Sequence, residues 1–117
     1  MSNMTIVNDG KRDIATNYIK TNYTTIKVGN GGDDTASSQT DLDSVVFTKT
    51  GQTPNVIGNS LNWSIDITGA NLGTQGISEL GIFHKDNDTL LSRTSFSNTG
   101  VVPSGDTITF KIKLEVN

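Results

Sequence analysis

The most regular feature of the chain is its closing stretch, in which Ile108, Phe110, Ile112, Leu114 and Val116 alternate with Thr107, Thr109, Lys111, Lys113 and Glu115. Period two marks a strand with one buried and one wet face, and a one-residue slip would turn every apolar side chain to water. A charge at Phe110 is therefore expected to prevent folding, whereas Lys111→Asp should cost little. The same period runs through Leu61, Trp63, Ile65 and Ile67, set between Asn62, Ser64 and Asp66, and places Trp63 in the core. Residues 77–83 carry apolar groups on both faces, which predicts a strand that is central or lies under a helix. Asp86, Asn87 and Asp88 form a turn into residues 90–96, completing a hairpin.

Upstream, Thr24 to Val28 reads as a strand ended by Gly29, and Val45 to Lys49 as another. The polar loop between them, Gly29 to Asp41, must lie at the surface. Gly51 to Gly58, with Pro54, reads as a connection. Only one helix is expected, over about residues 10–21, with Asp9 as its cap and Ile14, Ala15, Tyr18 and Ile19 as its apolar stripe. The pattern predicts a mainly β chain: a β-sandwich or small barrel of about six strands with one short N-terminal helix. Residues 1–117 are read as a single domain, with the sandwich over about 24–117.

Composition sharpens this picture. Hydrophobic residues make up 32% of the chain and aromatics 6%, which is a lean core, and cysteine is absent, so disulfides cannot supplement it. Oligomerisation is the expected supplement. A net charge of −3, with nine basic residues spread thinly, argues against nucleic acid or an anionic membrane as partner. No apolar run approaches membrane-spanning length and the first ten residues lack a signal-peptide core, so the chain is expected to be soluble and made in the cytoplasm.

The search for chemistry yields little. His84 is the only histidine, stands beside a turn and has no activated serine motif near it, so a structural or solvent-facing role is preferred. Asp33, Asp34, Asp41 and Asp43 could offer oxygen ligands to calcium, but their spacing is not that of an EF-hand and solvated turn carboxylates are the plainer reading. No catalytic, cofactor-binding or metal-ligating residue is assigned. Glu79 stands apart, because it interrupts an apolar stretch where a carboxylate needs a partner. Arg93, on the strand expected to pair with it, is that partner, in an inter-strand bridge that fixes register. Trp63 could stack on a sugar if exposed, but its phase favours the core. Tyr18 and Tyr23 have a better chance of reaching the surface.

The order of segments carries one further signal. A helix is followed by a strand ending at Val28-Gly29, then by a Gly/Thr/Ser/Asp loop that reaches Leu42. Next come the block Ser78-Glu79-Leu80-Gly81-Ile82-Phe83, a strand with Leu90, Leu91 and Arg93, a Gly105-Asp106 turn and the closing alternating strand. This succession resembles a family of small structural proteins and domains of tailed bacterial and archaeal viruses and their proviruses, found among tail-fibre, baseplate and head-decoration components. It departs from the family's pattern in having no proline in the Gly29 to Asp41 loop and little to anchor Gly51 to Gly76. The resemblance implies a non-enzymatic virion protein that binds other virion proteins and forms a homo-oligomer, with a trimer as first expectation. The rival expectation is a free-standing module binding glycan or calcium through its polar loops; a small hydrolase has the least support.

Overall fold

The computed structural model describes residues 2–117. Seven strands form two antiparallel sheets stacked as an open sandwich. One sheet has the order β2-β1-β5-β6, with β1 at Thr25–Gly29, β2 at Val45–Lys49, β5 at Glu79–Phe83 and β6 at Leu90–Ser95. The other has the order β3-β4-β7, with β3 at Asn55–Ile57, β4 at Ser60–Thr68 and β7 at Thr107–Glu115. The architecture is thus the sandwich of the two expected forms and not a closed barrel. The seventh strand is β3, a three-residue edge strand after the buried Pro54, in a segment read from sequence as a connection. Three residues are too few for alternation to register.

The core lies between the sheets. From β1 and β5 it takes Ile26, Val28, Leu80 and Ile82, and from β4 Leu61, Trp63, Ile65 and Ile67. Every β5 residue is buried, as expected for a strand flanked by β1 and β6. The short helix α3 (Gly69–Leu72) and the residue Ile77, neither of which has a periodic signature, complete this core through Leu72 and Ile77.

The N-terminal helical segment is longer and less regular than expected. It comprises α1 (Asn8–Asp13), a π-helical stretch (Ile14–Ile19) and α2 (Lys20–Asn22). Its N-cap is Val7; Asp9 sits in the first turn, where its charge favours the helix dipole, but it is not the cap. Because π-helical bonding widens each turn, the core-facing positions recur every fourth residue, at Ala15, Ile19 and Tyr23. Tyr18 therefore leaves the stripe for solvent, and Tyr23, expected nearer the surface, is buried.

The closing strand also differs from expectation in one respect. β7 pairs with β4 along its full length, with Leu61 opposite Leu114, Trp63 opposite Ile112, Ile65 opposite Phe110 and Ile67 opposite Ile108. The apolar face is the one its alternation predicts. Yet the four β4 residues are buried and their β7 partners only half-buried. β7 is an edge strand, and the facing residues of β6, Ser92 and Thr94, are too small to roof it. Phe110 is thus a flank residue packed on Phe96, ring centroids 5.7 Å apart, and not a fully buried core residue. A charge there can reach water, so the expectation that it prevents folding is withdrawn.

Candidate functional site: a buried carboxylate that anchors a loop

On the face of β1, β5 and β6 turned away from the core, Glu79, Gly81 and Phe83 alternate with the inward Leu80 and Ile82. Lys27 and Arg93 lie opposite Gly81 from either side. A sheet face of this kind would normally be wet. Here the Gly29 to Asp43 loop folds over it, and Leu42 and Phe83 are buried outside the main core cluster. Gly81 makes room for them: a Cβ there would stand 2.8 Å from Phe83, 2.9 Å from Leu42 and 3.2 Å from Leu90. Lys27 closes the face, its Nζ 4.4 Å from the Phe83 ring centroid and 2.7 Å from Asp88.

Glu79 is the anchor. Its side chain is fully buried and its carboxylate accepts four hydrogen bonds. Oε1 accepts from the Asp43 N–H at 2.9 Å and from Arg93 Nε at 2.9 Å. Oε2 accepts from the N–H groups of Gly31 and Ser44, each at 2.8 Å. Three of these donors belong to the backbone at the two ends of the loop, so one carboxylate ties both ends to β5. Ser78 reinforces the first tie, its Oγ donating to the Gly31 carbonyl at 2.6 Å.

Arg93 extends the network outward. Its Nη1 donates to the Asp33 carbonyl at 2.9 Å and to Thr35 Oγ1 at 3.0 Å, while Nη2 meets Asp43 Oδ2 at 3.1 Å. Burial pushes the Glu79 carboxyl up, but the N–H groups of Asp43 and Ser44, the Arg93 guanidinium and the Gly31 N–H outweigh it, and the group is held below the ordinary glutamate value. Charge and geometry agree on an ionised, fully satisfied carboxylate whose lone pairs are committed to holding the chain in shape.

Sequence reasoning places the Glu79–Arg93 bridge, which the structure contains, but not its reach. Arg93 pairs across the ladder with Gly81, and Glu79 with Ser95, so the bridge is diagonal. The loop partners Gly31, Thr35, Asp43 and Ser44 were not singled out as its ligands. Asp43, read as a solvated turn carboxylate, instead pairs with Arg93 and receives the Asp33 N–H at 3.2 Å. The signal that could have found it is the lone buried acid beside a loop rich in glycine, whose free N–H groups need acceptors.

The other singled-out residues lie elsewhere. Trp63 is in the core, and its Nε1 finds no hydrogen-bond partner among the described residues. His84 belongs to the β5–β6 turn: Nδ1 accepts the Asp86 N–H at 3.1 Å, and the ring meets Tyr23 edge-on at 5.2 Å. Of the loop acids, Asp41 accepts the neighbouring Leu42 N–H at 2.8 Å. Among the described residues no three acidic or histidine side chains gather as a metal-binding group, and no helix is long and apolar enough to cross a membrane. Comparison with family models gives no match for this chain, and comparison with curated proteins gives none either.

Proposed function

We propose that this chain is a non-enzymatic structural protein of a tailed-virus particle, assembling as an oligomer at the tail or fibre base or as a capsid decoration protein. The observation that carries the reading is the Glu79 centre. Four of the segments whose order resembles the viral family meet there in space: the Val28-Gly29 strand end, the loop to Leu42, the Ser78 to Phe83 block and the Arg93 strand. Each position of that block has a physical duty, which accounts for why such a motif would persist as scaffold. The most unusual acid and base of the chain are spent on shape, leaving an architecture suited to binding.

Other virion proteins are the partners in this reading, a homotrimer its simplest oligomer, and the particle its location after synthesis in the host cytoplasm. The calcium alternative is less favoured, because Asp43 is paired with Arg93 and Asp41 is turned to its own backbone. The test is immunogold labelling of particles from a culture that carries this sequence. Label on tails or capsids supports the reading and chooses between them; protein found only in the particle-free fraction overturns it.

A further inference from the structure

The sandwich is open along one long side, where the edge strands β6 and β7 of the two sheets lie together. A cleft of about 290 Å³ runs between them, with Leu80, Ile82, Ser92, Thr94 and Ile112 in its lining. Along β7 the inward residues Ile108, Phe110, Ile112 and Leu114 are all half-buried, and the strand's outer edge has no neighbour among the described residues. A nine-residue edge strand with one apolar face, left without a neighbour on its outer side, is open to strand addition.

The same chain carries a segment of the matching kind. Residues 2–7 precede α1 without regular structure and are exposed throughout, with Met4 fully exposed and Ile6 and Val7 at 50% and 66%. In extended form Met4 and Ile6 fall on one side and Asn3, Thr5 and Val7 on the other. The molecule is drawn out to 53 × 26 × 24 Å, with a radius of gyration of 15.4 Å against about 13 Å for a compact domain of this size. Charge matches as well. Asn3 to Val7 is uncharged and is followed by the exposed Asp9 and Asp13, whereas Arg93, Lys111 and Lys113 add basic groups to the cleft's lining, Lys111 without an ion-pair partner among the described residues.

We infer that Asn3 to Val7 of one copy lies as an added strand along β7 of a second copy, with Met4 and Ile6 covering the half-buried row from Ile108 to Leu114. The contact is head-to-tail, so repeated use with a rotation of one third of a turn builds a trimer without a further interface type. It names the partner surface of the proposed oligomer and rests on that reading only for its biological setting.

The chain has no cysteine, which makes a clean test. Ile6→Cys and Ile112→Cys proteins are prepared separately, mixed and oxidised, and the masses of wild type and of a Met4→Asp, Ile6→Asp variant are measured by light scattering. The expected result is a cross-link only in the mixture of the two cysteine proteins, an oligomeric wild type and a folded, monomeric double variant. Since the substituted arm residues are exposed, circular dichroism should be unchanged. A wild-type monomer at all concentrations, an oligomer indifferent to the double variant, or no cross-link in the mixture overturns the inference. None of these would move the immunogold label, so failure here is distinguishable from failure of the virion reading.

Discussion

Arg93 stands opposite Gly81 in the β5–β6 ladder, yet its guanidinium bonds Glu79 one diagonal step away and Asp43 on the loop above. One cation thereby spans two strands and a loop, and both of its carboxylate partners hold loop N–H groups.

Glu79 and Arg93 should behave as a coupled pair. Arg93→Met leaves the buried Glu79 carboxylate with its three backbone N–H donors but no counter-charge, and should lower unfolding free energy by about 3 kcal/mol, the low end for a broken buried pair. A Glu79→Met, Arg93→Met double variant should lose less than the sum of the single changes. Urea denaturation measures all three; strict additivity would show that the pair is not coupled.

The depressed pKa of Glu79 gives its contribution a definite pH dependence. The unfolded chain binds this proton more tightly than the folded one, so the contribution is complete above the ordinary glutamate value of about 4.3. It is lost as pH falls from there through the lower folded value. Wild-type stability should therefore drop more steeply than that of Glu79→Gln between about pH 5 and pH 3. Parallel curves would contradict the assignment.

Two glycines of the loop should respond unequally to the same change. A Cβ on Gly29 would run into the Ser44 carbonyl and stand 2.6 Å from Glu79 Oε2, whereas nothing lies within 4 Å of one on Gly32. Gly29→Ala should cost about 1–3 kcal/mol, and Gly32→Ala close to nothing. Thermal melts of the two variants provide the check.

Across the β4–β7 ladder, Ile65 and Phe110 are direct partners of unequal burial. Ile65→Asp should abolish folding, because the charge has no route to water, while Phe110→Asp should leave a folded but weakened protein. Equal loss of the β-sheet circular dichroism signal would mean that the flank is closed.

Periodicity made the long strands legible. β4 and β7 alternate for nine residues each, and their sequences show which residues share the inward face, while the pairing of Trp63 with Ile112 came from the structure. What alternation cannot reveal is how far the opposite sheet extends. Phe110 and Ile65 look alike in sequence, and what distinguishes them is the place of β7 at the sheet edge, with the small Ser92 and Thr94 across the gap. The helix misled for a related reason: periodicity assumes α-helical turns, and the π-helical stretch moves Tyr18 off the stripe. At the candidate site, a charged residue in an apolar run exposed Glu79 and suggested Arg93, because buried charge demands compensation. The backbone donors of Gly31, Asp43 and Ser44 carry no side-chain signature, so their convergence required the fold.

The bonds of Glu79 close very different lengths of chain. Arg93 is 14 residues away, whereas Ser44, Asp43 and Gly31 are 35, 36 and 48 residues distant. Short closures cost less entropy and form sooner, so the hairpin partner is in place before the loop can be captured. Capture of the loop is then a late event, placed on the native side of the folding barrier. Weakening it through Gly31 or Asp43 should hasten unfolding while leaving the folding rate nearly untouched, which makes Glu79 the chain's latch against escape more than its guide to assembly.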